Sequence, residues 1–265
     1  MKLYMLFVIC VVLCLITESL DAKRRPNKKS RTNKHEKMKK KNKMPNVQQN
    51  IYDDLPALRL MNMVDNLPSK DVIPVLNMTS TLSVNVGIAL LNLLELDYSH
   101  MKVIIWLRLT WKNEFLQWDP EDYAGINSIR VPIEKMWKPD IVLYNSLKKS
   151  EMLFEALAVV NNDGTVLWVP SMEIISSCKK TEKTPNKCSI NCPLKFGSWT
   201  RDGYQLDLTS EKEIDLNDYQ ENEEWQVQVH TQTKHTKFYP CCKEPYPDVT
   251  GNLTFVARSD SSDEC

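Results

Sequence analysis

Two cysteines stand side by side in FYPCCKEPYPDV, residues 238–249, with tyrosines at Tyr239 and Tyr246. A bond between Cys241 and Cys242 closes almost no chain and removes almost no unfolded-state entropy, so it is a poor staple. Pairing of each thiol elsewhere is one alternative. A zinc site is a weak one, because the four histidines show no ligand spacing around these cysteines. Three more aromatics have surroundings of interest: Trp106 in IIWLRLTW, Tyr144 in WKPDIVLYNS and Trp199 in KFGSWTRDGYQLDL. Indole and phenol rings offer a cation an electron-rich face. Taken singly, each also reads as packing, since Trp and Tyr are common in β cores. Trp111, Trp118, Trp137 and Trp225 read as packing. Nothing points to catalysis: the chain, with six glycines and four histidines, lacks a nucleophile–base spacing, a phosphate-binding glycine loop and a metal-ligand cluster.

The elements that must hold these residues are mostly strands. TLSVNVGIALLNLLEL alternates loosely, and MKVIIWLRLTW continues with β-branched and aromatic residues. IVLYNS, EALAVVNNDGTVLWVPS and EWQVQVHTQT repeat the signal, with Asn162-Asp163-Gly164 as a hairpin turn and NLTFVARS as the last strand. A short helix is expected within 48–66, with Pro56 in its first turn and an apolar stripe of Leu55, Leu58, Met61, Met63 and Val64. Many short strands over about 220 residues predict an all-β fold, one immunoglobulin-like antiparallel β-sandwich with a short N-terminal helix.

Residues 1–22 combine Lys2, an apolar run and a polar exit, the pattern of a secretory signal peptide; the run is short for a membrane anchor. Six cysteines follow it, an even number suited to an oxidising compartment, and sequons at Asn77 and Asn252 fit a secreted, extracellular glycoprotein. Residues 23–43 hold twelve Lys or Arg and one acid, so 23–47 reads as a basic disordered segment. It suits anionic polymers such as heparin, removal at Lys23-Arg24-Arg25, or no partner at all; with no aromatic interleaving, nucleic acid is not expected. The body from Met44 onward carries a net charge of about −10, which mildly attracts cations.

The motifs WLRLTW, LQWDPEDYAGINSIRVP, WKPDIVLYNS, KFGSW and YPCCKEPYPDV, with Cys178 and Cys192 separated by thirteen intervening residues, follow one another in an order that resembles the extracellular ligand-binding domain of the Cys-loop receptors, specifically nicotinic acetylcholine receptor α-type subunits. The resemblance covers about 48–259 and leaves 260–265 as a tail carrying Cys265. It implies Cys178–Cys192 and Cys241–Cys242 disulfides, and a homopentamer binding a small cation, acetylcholine or nicotine-like, between neighbours. A principal face would supply Tyr144, Trp199, Tyr239, Cys241, Cys242 and Tyr246. The complementary face would supply Trp106, Arg108, Leu157, Val159, Leu167 and Val169, with Asp140 steadying the backbone near Trp199. A quaternary ammonium cannot donate a conventional hydrogen bond, so a cage of ring faces suits it, and the adjacent cysteines would shape its lid. Arg108, where many relatives have a neutral residue, would oppose a cation or pair with an acid; Arg201 also bears on selectivity. No cofactor and no metal are implied.

Two features depart from the receptor pattern. The loop CKKTEKTPNKCSINC lacks the aromatic-Pro-aromatic-Asp core of receptors, and SDSSDEC stands where they enter their first transmembrane helix. Both resemble the acetylcholine-binding proteins, soluble secreted relatives without a pore. In the family the loop and the chain's end share a pole, so a Cys188–Cys265 bridge is expected within or between subunits; a free terminal thiol or linkage of pentamers is the alternative. The competing functions are a truncated receptor subunit that assembles with membrane-spanning partners and modulates them, and an adhesive sandwich that binds nothing small.

Overall fold

In the strand His100–Lys112 every second side chain is buried, from Met101 to Trp111, as a strand with one face on the core requires. Its antiparallel neighbour Leu82–Leu96 has register shifts between Leu90 and Asn92 and between Leu93 and Glu95. Each shift breaks the two-residue period and bends the strand, which is why its sequence alternates only loosely. Leu82–Leu96 is β1 and His100–Lys112 is β2. The computed structural model describes residues 55–181 and 188–258, and the fold below lies in one compact unit, Pro56–Cys265. The expected signal peptide, basic segment, first turns of the 48–66 helix and C-terminal tail lie outside the described residues.

The remaining strands are β3 (Ser128–Pro132), β4 (Ile141–Leu143), β5 (Glu151–Met152), β6 (Leu157–Asn161), β7 (Thr165–Trp168), β8 (Ser171–Ser177), β9 (Lys179–Lys180), β10 (Ser189–Ser198), β11 (Leu206–Ser210), β12 (Trp225–Phe238) and β13 (Pro245–Ala257). One sheet has eight strands, ordered β11-β1-β2-β7-β6-β3 with β8 continuing along β2 and β5 beside β8; the other has five, ordered β12-β13-β10-β4 with β9 beside β10. The all-β class holds, but β11 runs parallel to β1, from Leu82↔Leu206 to Val86↔Ser210. The antiparallel expectation thus has one exception. A parallel pair is not joined by a hairpin, so no local turn signal announces it.

Ile88, Ile105 and Leu109 from one sheet and Ile190, Phe196 and Phe255 from the other are fully buried and form the core. The Cys178–Cys192 disulfide joins the end of β8 to β10 and so ties the two sheets. Closing a loop of that length contributes about 3 kcal/mol. Cys188 is also disulfide-bonded; its expected partner Cys265 lies outside the described residues. Trp111, Trp118 and Trp137 are buried, Trp111 meeting Trp137 edge-on at 6.0 Å, while Trp225 is half-buried against the core.

The helix α1, Pro56–Asp65, starts on its proline, where the missing N–H costs nothing. Its buried residues are Leu60 and Val64, with Met63 and Leu67 packed beside them. Leu55 and Leu58 are exposed, so the expected stripe is corrected by a rotation about the helix axis. The Asn162-Asp163-Gly164 turn joins β6 to β7, with Gly164 at φ +86°, a conformation glycine adopts without strain. β12 and β13 both extend past the expected strands. Their distal halves pair with each other from Lys234↔Val249 to Phe238↔Pro245, and β12 there is largely polar and exposed. Backbone pairing, with polar contacts such as Lys234 Nζ to Asp207 Oδ1 at 2.6 Å, holds that end without an apolar core, and it leaves no alternating pattern in the letters.

Candidate ligand-binding site

β10 ends at Ser198, and the next side chain, Trp199, is 73% exposed. Its backbone is nonetheless firmly held. The Ser198 hydroxyl donates to Asp140 Oδ1 at 2.6 Å, and the Thr200 N–H and hydroxyl donate to Oδ2 at 2.8 and 2.6 Å. The Trp199 N–H donates to the Asp140 carbonyl at 3.1 Å, and the Arg201 N–H to the Ser198 hydroxyl at 3.0 Å. Asp140 therefore grips the chain on both sides of the indole. Arg201 itself turns to Trp137, its guanidinium 6.0 Å from that ring.

Tyr144 follows β4, and its hydroxyl donates to the Ser198 carbonyl at 2.5 Å. Its ring lies across Gly197, where a Cβ would come within 2.5 Å of Tyr144 Cζ, so only glycine admits it. Burial, then Tyr239, Asp248 and Asp140 nearby, push the Tyr144 phenol up to about 12. Tyr239 and Tyr246 flank the tip of the β12–β13 hairpin, their rings edge-to-face at 5.4 Å and 74°. Between them Cys241 and Cys242 are joined as a disulfide, and the Cys242 N–H donates to the Tyr239 carbonyl at 3.1 Å.

Cations already stand by these rings. Lys237 Nζ lies 4.6 Å from the centre of the Tyr239 ring. Lys195 Nζ lies 6.0 Å from that of Tyr144 and 3.0 Å from Asp248 Oδ2. Asp248 is buried, and its other oxygen takes a 2.8 Å hydrogen bond from Thr250 and faces His235 Nδ1 at 3.3 Å. Sequence reasoning passed over Lys195, Lys237, Asp248, Ser198 and Gly197. The one local cue was the i, i+2 spacing of Lys237 and Tyr239, which puts both on one strand face.

The other expected residues stand on the eight-stranded sheet. Trp106 is half-buried on the outward face of β2, with Arg108 and Thr110 next along that face. Pairing of Thr110 with Leu167, and of Leu167 with Val159, extends the face to the hairpin, where Leu157 is exposed; Val169, just past β7, is half-buried. Arg108 is paired with an acid: its guanidinium meets Asp215 Oδ2 at 3.0 Å. The Asp215 backbone bonds to β1 through Ile88 and Leu90, so the acid is fixed. Arg108, Leu167, Glu211, Glu213 and Asp215 line a groove of about 930 Å³. No hydrogen bond, ion pair or ring contact among the described residues links this set to the Trp199 set. One chain presents the two sets on separate sheets.

Asn77 is exposed, its Oδ1 accepting from the Thr79 N–H and hydroxyl, whereas Asn252 is half-buried within β13 between Pro193 and Thr231. Among the described residues no group of three or more His, Cys, Asp or Glu is placed to hold a metal ion. Nor is any helix long and apolar enough to cross a membrane.

The neurotransmitter-gated ion-channel ligand binding domain matches residues 59–258. Acetylcholine receptor subunit alpha-type acr-16 of Caenorhabditis briggsae is 36% identical over 203 residues, 75% of this chain and 39% of the relative. Acetylcholine receptor subunit alpha-L1 of Schistocerca gregaria is 34% identical over 222 residues, 79% of this chain and 38% of the relative. Neuronal acetylcholine receptor subunit alpha-6 of Mus musculus is 38% identical over 181 residues, 67% and 37% of the two chains. The chain thus spans about two fifths of these relatives' length. With its two sheets, the disulfide between them and a match over most of its residues, the chain belongs to the neurotransmitter-gated ion-channel ligand-binding domain family.

Proposed function

We propose that this protein is a secreted, soluble binding protein for acetylcholine-like or nicotine-like cations, with the guest held between neighbouring subunits. The observation that carries the reading is Trp199: a large indole, mostly exposed, on a backbone gripped on both sides by one carboxylate. Exposing that ring gains the fold nothing, while its rigid support suits a cation–π contact of about 2 kcal/mol once a guest displaces water. Tyr144, Tyr239 and Tyr246 supply further ring faces, with the Cys241–Cys242 tip as their lid.

Trp106, Arg108, Leu157, Val159, Leu167 and Val169 form the other wall in this reading. Since one chain holds the two walls apart, the wall facing Trp199 comes from a second copy. Repeating such a head-to-tail contact closes a ring, and a ring of five is what the family resemblance implies. The net negative body favours a cationic guest.

Titration of the purified chain with acetylcholine, nicotine and choline, followed by tryptophan fluorescence, tests the reading alongside its solution mass. A ring-sized assembly whose quenching disappears in Trp199→Ala supports it. A monomer indifferent to all three ligands defeats it. Recovery only in complex with membrane-spanning subunits would favour the modulatory subunit instead.

A further inference from the structure

A cavity of about 310 Å³ opens between the two sheets and shares no lining residue with the aromatic cluster. Leu107 of β2 and Phe196 of β10 line it and are buried; Val142 of β4 and Met172 of β8 are half-buried. Lys148 and Lys149 line it too, and both are exposed. Its lining therefore grades from apolar in the interior to doubly cationic at the surface.

Interiors pack densely and leave few voids larger than a water molecule, so an apolar space at the lower end of ligand-site volumes calls for an occupant. The rim's charge is largely uncommitted. Lys148 reaches Glu151 only at 3.7 Å with both side chains more than 60% exposed, and Lys149 forms no ion pair among the described residues. Two ammonium groups repel a quaternary ammonium guest and attract a carboxylate.

We infer that this pocket binds a short anionic amphiphile of the alkyl carboxylate class. The chain lies against Leu107, Val142, Met172 and Phe196, and the carboxylate meets Lys148 and Lys149. The site is separate from the aromatic one and takes a guest of opposite charge.

Calorimetric titration of the full chain with sodium decanoate, below its micellar range, tests the inference against decyltrimethylammonium of equal chain length. Decanoate is expected to bind saturably, one per chain, and the ammonium not to bind in this pocket. Charge reversal at the exposed rim, Lys148→Glu with Lys149→Glu, should weaken decanoate by roughly tenfold, the size of a lost charge-assisted hydrogen bond. Val142→Trp, which fills the cavity, should abolish binding. Trp199→Ala should leave it unchanged, which separates this site from the proposed cation site. No saturable binding, indifference to the rim reversal, or loss in Trp199→Ala would overturn the inference.

Discussion

Asp140 and Thr200 are joined twice, the Asp140 Oδ2 accepting from both the backbone N–H and the hydroxyl of Thr200. With Ser198 on the other oxygen, the residues on either side of Trp199 hang from one carboxylate. Bonds to a charged acceptor contribute about 1.5–3 kcal/mol each.

Asp140→Ala should therefore loosen the turn and lower affinity for a quaternary ammonium by at least about tenfold. Ligand titration checks the affinity. Near-ultraviolet circular dichroism checks the cause, since the Trp199 signal should weaken while far-ultraviolet β content stays. Unchanged affinity would mean that the indole does not depend on this support.

Two of the disulfides should separate stability from site shape. Replacing Cys178 and Cys192 with serine removes a long closed loop between the sheets and should cost about 3 kcal/mol, or roughly 6–12 °C in Tm. Replacing Cys241 and Cys242 should leave Tm almost unchanged and reduce ligand affinity. Thermal melts and titrations on the two double variants make the comparison.

Lys237 places an ammonium against the Tyr239 ring that a cationic guest would share. An exposed contact of this kind is worth about 0.5–1 kcal/mol, so Lys237→Gln should tighten cation binding by about two- to fivefold. A weaker binder would show instead that the lysine supports the ring.

Arg108→Gln should leave the fixed Asp215 carboxylate without its ion-pair partner in a groove whose other cation is Lys212. Cation affinity should then rise by about two- to fivefold at low salt, the scale of a partly exposed pair, and the gain should fade as salt screens it. Titrations at two ionic strengths read out both effects; a gain that ignores salt would point to shape instead of charge.

Tyr144 gives the alkaline limb a definite sign. Its phenol is pushed from 10.0 up to about 12 in the fold, first by burial. Its contribution to stability is complete below the unfolded value. As pH rises toward the folded one, the unfolded chain has released this proton and the folded chain has not, so the contribution is lost. Burial also raises the Tyr219 phenol, so tyrosinate absorbance should show one fewer late-titrating phenol in Tyr144→Phe than in the parent, and the variant's stability should fall less steeply over the same range.

Much of the fold was legible because its cause is local. The strict alternation of β2 and the Asn162-Asp163-Gly164 turn are periodicity and turn chemistry written into neighbouring residues. The parallel β1–β11 ladder was not legible, because partners more than a hundred residues apart leave no local mark. The outward end of β12 was hidden for another reason, since backbone pairing holds its polar residues in a strand without an apolar period. In α1, apolar residues outnumber those the core accepts, so the spacing left the buried face open between Leu58 and Leu60.

The sequence by itself determined the class of the protein, since composition, alternation and the order of its motifs are properties of neighbours along the chain. It also named the aromatic residues and the adjacent cysteines. Only the tertiary structure decided how they are used. It bound Asp140 to both flanks of Trp199, laid Tyr144 over Gly197, set Lys237 on Tyr239 and paired Arg108 with Asp215. Each of those relationships depends on distances across strands and between loops. Packing of the whole chain sets such distances, and no spacing along the sequence encodes them.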